Sequence, residues 1–97
     1  MEARLTQATA IVQIDNDRVA VTEWRFAPGA ETGWHSHQYD YVVVPQKTGK
    51  LLLRTKDGDS ASQLVTGKSY FREAGVEHNV INANDDEFVF VEIEMKT

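Results

Sequence analysis

The chain has 97 residues, 41% of them hydrophobic, with 15 acidic against 10 basic side chains and a formal charge of −5. That size suits a single domain built on one core, and the scattered Lys and Arg residues lack the clustering that displaces counterions from nucleic-acid phosphates. Disulfides, thiolate metal ligands and cysteine nucleophiles are excluded because there is no cysteine, and no stretch approaches the ~20 apolar residues of a membrane span.

In chain order, the opening "MEARLTQATA" carries an early acid and no apolar run, so a secretory signal is not expected and the expected compartment is the cytoplasm. Its residues 2–10 suit a short helix or an edge strand. "AIVQI" (10–14) then meets the turn "DNDR", and "VAVTEWRF" (19–26) ends at "APGAETG". "YVVVPQ" (41–46) meets "KTG", and "KLLLRT" (50–55) meets "KDGDS". "QLVT" (63–66) precedes Gly67, "SYF" (69–71) precedes "REAG", "HNVINA" (78–83) meets "NDDE", and "FVFVEIEM" (88–95) follows. The segments are rich in Val, Ile, Phe, Tyr and Thr, and several alternate with period two. In the last of them Phe88, Phe90, Glu92 and Glu94 share one face, and Val89, Val91, Ile93 and Met95 the other. No 3.6-residue periodicity is sustained. Eight to ten strands with regular turns predict an all-β sandwich or barrel.

All three histidines fall in two short segments, "GWHSH" at 33–37 and "EHNVIN" at 77–82. In an extended chain residues i and i+2 project from one face, about 7 Å apart. His35 and His37 can therefore offer two imidazoles to one point, and His78 can arrive on a neighbouring strand. A lone histidine is more often structural than ligating. Neutral imidazole is nevertheless the commonest protein metal ligand, and it suits Fe, Ni, Cu and Zn alike.

The residues around them sharpen the case. Gly29, His35 and His37 form G-x5-H-x-H, and Gly67, Glu73, Gly75, His78 and Asn82 form G-x5-E-x-G-x2-H-x3-N. These resemble the two signature motifs of the cupin family, G-x5-H-x-H-x3/4-E-x6-G and G-x5-P-x-G-x2-H-x3-N. The resemblance implies a double-stranded β-helix (jelly-roll) barrel over residues 1–97, with the first motif at about 29–49 and the second at about 67–82. It also implies a divalent transition metal (Fe, Ni, Zn, Mn or Cu) on His35, His37 and His78, and a homodimer in which the N-terminal segment extends a neighbour's sheet. Pro28-Gly29 and Gly75 fit turns needing positive φ, and Gly49 and Gly67 fit hairpin ends. Asn82 is expected inside the barrel, either orienting a ligand or satisfying backbone groups.

Two positions depart from the family pattern. Its fourth ligand, a glutamate, would fall at Val42 counting back from Gly49 or at Tyr41 by alternation from His37, and Tyr41 is expected on the metal side because a phenol suits a polar site better than an isopropyl group. Asp40 is one residue out of register and is expected in solvent or beside a base. Glu73 replaces the usual proline. Three neutral imidazoles leave a divalent ion its full charge, which favours anionic ligands and acidifies bound water. Three-histidine cupins similar to this arrangement include thiol and diketone dioxygenases, so the resemblance implies oxygenation, or isomerisation of a small polar, anionic metabolite. The alternatives are a non-catalytic ligand-binding or accessory cupin and a structural barrel without metal. "RFAPGAETGWHSHQYDYVVVP" also resembles small cupins associated with β-alanine degradation. Trp24, Phe26, Tyr39, Tyr70, Phe71, Phe88 and Phe90 are candidates for pocket or core, and Trp34 should point outward. Arg25, Arg54 and Arg72 each have the geometry to hold a carboxylate. No nucleic-acid or membrane partner is expected.

Overall fold

The computed structural model describes residues 5–97 and folds them into nine strands, with no helix among the described residues. They are β1 (Thr9–Asp15), β2 (Val19–Phe26), β3 (His35–Ser36), β4 (Asp40–Pro45), β5 (Gly49–Thr55), β6 (Gly58–Leu64), β7 (Tyr70–Arg72), β8 (Glu77–Asn82) and β9 (Phe88–Met95). One sheet runs β1-β2-β9-β4-β7 and the other β3-β8-β5-β6, with every strand pair antiparallel. No helix is long and apolar enough to cross a membrane, among the residues described.

The alternation of β9 sets the interior. This strand lies at the centre of the larger sheet and pairs along its length with β2 on one side and β4 on the other. Its Phe88 and Phe90 enter the core, where they meet Phe26 of β2 and Tyr41 and Val43 of β4. From the smaller sheet Leu51, Leu64 and Val80 close against them. Burial of this apolar surface, at about 25 cal/mol per Å², is what holds the two sheets face to face. Phe26 and Phe90 pack with ring centroids 5.5 Å apart.

Two local expectations need correction. "KDGDS" is not all turn: the β5–β6 turn is only Lys56-Asp57, because Thr55 already pairs with Gly58 and Asp59 and Ser60 belong to β6. β6 looks like a loop in sequence because it is an edge strand with nearly every residue exposed, so no apolar alternation marks it. At the N-terminal end the edge strand is residues 9–15 rather than 2–10; residues 5–8 form no helix, and residues 2–4 of that segment lie outside the described residues. Gly49 opens β5 at the end of the β5–β6 hairpin, as expected, with no left-handed backbone; what requires a glycine there is space. A Cβ there would stand 2.7 Å from Asn84 Oδ1. That amide cannot easily yield, since its oxygen accepts from the Lys50 N–H at 2.9 Å and its nitrogen donates to the Lys50 carbonyl at 2.9 Å.

β1 is the exposed flank of the larger sheet. All seven of its residues are exposed, among them Ile11, Val12 and Ile14. An uncovered edge carrying apolar side chains is a template for another strand.

Candidate metal centre

β3 is two residues long, yet it places the site. His35 lies directly opposite His78 of β8, so the two imidazoles rise side by side from one face of the smaller sheet. His37 follows just past the strand. Its N–H donates to the Val76 carbonyl at 2.9 Å, and its own carbonyl accepts from Gly75 N–H at 2.8 Å. Gly75 takes φ of 99°, a conformation that L side chains rarely adopt, which is what the second motif needs a glycine for. Asp40 does not approach the cluster. It is exposed, and its carboxylate accepts from Ala74 N–H at 2.8 Å, pinning the same turn. Glu73 is exposed beside it.

The three Nε2 atoms converge. His35 Nε2 lies 3.1 Å from His37 Nε2, which lies 3.3 Å from His78 Nε2. Two nitrogens bound to one ion at ~2.1 Å stand ~3.0 Å apart at an octahedral angle and ~3.4 Å apart at a tetrahedral one. The observed separations fall between these limits, so the donor set fits a single divalent ion.

Neighbouring groups fix the ring of His35. Its Nδ1 lies 2.9 Å from the Gly33 carbonyl, which only accepts, so the proton sits on Nδ1 and Nε2 presents its lone pair inward. Thr32 Oγ1 stands 3.2 Å from the same nitrogen. The loop carrying them is tied down by Asn79, whose oxygen accepts from Gly33 N–H at 3.0 Å and whose amide donates to Glu31 at 2.6 Å. Sequence reading missed Thr32 and Asn79, because neither type marks a metal site.

Tyr41 is 2% exposed and stacks on His37 with centroids 3.9 Å apart and planes 20° from parallel. Val42 points to the opposite face, as alternation requires. Burial, with Glu92 nearby, raises the Tyr41 phenol well above its ordinary range. Asn82 stands apart from the cluster. Its amide donates to the carbonyls of Phe26, Ala27 and Asp86 at 3.1, 3.2 and 2.9 Å, and its oxygen accepts from Asn84 N–H at 3.0 Å. It joins loops, and the pocket lining does not include it.

Two carboxylates from β9 come to the site instead. Glu92 and Glu94 carry oxygens near His37, and these ligand atoms all lie within 4.8 Å of one another. Glu94 Oε2 is 3.9 Å from His37 Nδ1, beyond hydrogen-bond reach. The acid absent from the first motif thus reappears on a different strand, behind His37. This revises the expectation of an ion whose charge nothing nearby offsets. The alternation of β9 put both acids on the face of Phe88 and Phe90, but their place in an acidic segment made them look solvated.

A cavity of about 30 Å³ opens beside the imidazoles. Its lining includes Trp24, Tyr41, Tyr70, Arg72 and Glu92, with His35 and His78 at one side. Phe26 and Phe88 are core, whereas Tyr39 and Phe71 are exposed, and Trp34 is 54% exposed and faces outward. Arg25 pairs with Glu23 and Glu87, and Arg54 with Asp59. Of the three arginines singled out, Arg72 alone belongs to the cavity.

The chain belongs to the cupin family: the Cupin_2 domain model matches residues 22–94. It is similar to the "Beta-alanine degradation protein BauB" of Pseudomonas aeruginosa, 64% identical over 90 residues that cover 93% of this chain and 95% of the relative. The crystal structure of a cupin domain from Bordetella pertussis has a TM-score of 0.96 at 62% identity, covering 99% of this chain and all, 100%, of that one. A double-stranded β-helix protein from Klebsiella pneumoniae, at 19% identity and a TM-score of 0.78 over 98% of this chain and 82% of its own, shares the fold.

Burial makes the metal-free site sensitive to pH. His37 is lowered to about 4, first by desolvation and then by His35; His78 is also lowered to about 4, by desolvation, His35, His37 and Arg72. Glu92 is raised to about 7 by desolvation and by Glu94. Between 6.5 and 4 the unfolded chain binds the histidine protons that the folded one refuses, so stability falls as pH drops. Glu92 acts oppositely: its contribution is present below 4.5 and is lost as pH rises through 7. Each unbalanced proton is worth roughly 1.4 kcal/mol per pH unit. With two imidazoles against one carboxyl, urea denaturation in chelator should show stability rising from about pH 4.5 to 6.5 and staying nearly level above, and Glu92→Gln should steepen that rise. Stability rising steadily as pH falls from neutrality would contradict these assignments.

Proposed function

We propose that this cupin holds a divalent transition metal on His35, His37 and His78 and uses it on a small, polar, anionic metabolite by oxygenation or isomerisation. The observation that carries the reading is the convergence of three Nε2 atoms at spacings of 3.1 and 3.3 Å. When bound, such an ion supplies Lewis acidity and a template for the substrate. The chain's own residues supply the rest. The Gly33 carbonyl and Thr32 hold His35 in the ligating tautomer, and Tyr41 fixes the His37 plane by stacking. Trp24, Leu53, Val80 and Phe90 keep the cavity wall apolar, which excludes water and strengthens electrostatic contacts within it. The similarity to a protein named for β-alanine degradation supports a substrate in the breakdown of small amino acids, within the cytoplasm.

Metal analysis of protein purified without a histidine tag tests the reading. About one equivalent of a first-row transition metal per chain is expected, falling to a small fraction in His78→Ala while the variant stays folded. His78 is a terminal contributor to the cluster, so its truncation leaves the β3–β8 backbone ladder in place. Stoichiometric metal in folded His78→Ala would refute the ligand assignment. Oxygen uptake by the iron-loaded protein with a panel of small thiols, diketones and amino acids then separates oxygenation from isomerisation.

The partner we propose is a second copy of the chain, docked along β1. The all-exposed strand with Ile11, Val12 and Ile14 supports this. Light scattering at micromolar concentration should give twice the chain mass, and Val12→Lys should shift the population toward monomer. A wild-type monomer across that range would exclude the arrangement.

A further inference from the structure

Glu92 is 8% exposed, yet no hydrogen bond reaches its carboxyl group among the described residues. It has no atom that is both sealed and unpaired, so its polar end opens into the cavity it lines. A buried carboxyl group without a protein partner is costly unless something else supplies the contact. Across β4 stands the opposite charge. Arg72 is exposed at the cavity rim, its guanidinium 5.0 Å from the Tyr70 ring centroid, and it makes no ion pair among the described residues. The register explains why the two do not neutralise each other. Val43 of β4 has Glu92 on one side and Tyr70 on the other, while Tyr41 has Glu94 and Arg72. Arg72 and Glu92 thus lie two strands apart, a backbone separation of at least ~10 Å. The 30 Å³ cavity has room for about two or three water-sized groups, so it takes only the far end of a ligand whose other end stays at the rim with Arg72.

We propose that this cavity selects a short-chain acid bearing a hydrogen-bond donor at its far end, the carboxylate held by Arg72 and the donor by Glu92. The inference rests on reading the cavity as the ligand site of the histidine cluster, and it adds to that reading which residues set the preference. A guanidinium fork matches a carboxylate bidentately. An ionised Glu92 accepts best from an ammonium group, so a short acid with a terminal amine is the preferred form and the hydroxy acid the weaker one; β-alanine is the shortest probe with the two groups at opposite ends of a two-carbon link.

Calorimetric titration with β-alanine, propanoate, 3-hydroxypropanoate and 1-aminopropane tests this, on zinc-loaded and on chelator-treated protein. β-Alanine should bind at least tenfold tighter than propanoate or 1-aminopropane in at least one of the two forms, with 3-hydroxypropanoate between. Arg72→Met should weaken β-alanine and propanoate alike, by tenfold or more, and leave 1-aminopropane unchanged. Glu92→Gln, nearly isosteric, should leave propanoate within twofold while removing the advantage of β-alanine over it. Equal binding of β-alanine and propanoate in both forms, or an unchanged preference in Glu92→Gln, would overturn the proposal. Zinc retention without the preference refutes this inference alone. The preference without zinc retention refutes the metal assignment alone.

Discussion

The two-residue ladder that sets His35 opposite His78 is the constraint on which the site depends. It fixes two imidazoles on one face, and the turn at Gly75 then delivers the third through backbone hydrogen bonds to His37. The result is an electrostatically awkward object. The His35 proton is committed to Gly33, so its Nε2 can only accept. His37 and His78 can offer at most one proton each toward the centre, and burial opposes charging either. One cation at the common point satisfies all three lone pairs at once, which no protein donor in the cluster can do.

β9 connects that centre to the core. Its phenylalanines pack the two sheets, and the same alternation carries Glu92 and Glu94 up to the histidines. One strand therefore supplies both the apolar contacts that hold the barrel shut and the negative charge of its pocket. Tyr41 is the joint between the two functions: it lies in the core and forms a flat wall against His37. In the family pattern a first-motif glutamate would place its charge on the ion directly. Here the charge stands behind His37 and along the cavity, where it bears on what else the pocket admits.

The fold was legible because turn residues punctuate nearly every strand and period-two alternation runs clearly through β2, β4 and β9. The histidine constellation was legible because H-x-H spacing and the positive-φ glycine at 75 are backbone requirements that leave a direct trace in sequence. The same strict period set Asp40 aside, whereas Tyr41 was preferred to Val42 on the polarity of its phenol. What escaped were features set by the third dimension. Nothing along residues 88–95 says which face of β9 turns inward near its C-terminal half, so Glu92 resembled any acid of a charged segment. Asn79 on β8 and Thr32 in the loop before β3 stand 47 residues apart in sequence. β6 has no apolar face to announce it, and Gly49 is small because of Asn84, a residue 35 positions away that spacing alone does not bring near.

X-ray absorption spectroscopy on the metal-loaded protein bears most directly on whether three imidazoles share one ion. Zinc is a suitable probe because it binds nitrogen at ~2.0–2.1 Å without imposing its own geometry. The account predicts a first shell with three imidazole nitrogens, recognised by the ring's outer-shell scattering. A shell dominated by carboxylate oxygen, or one with a single imidazole, would contradict it.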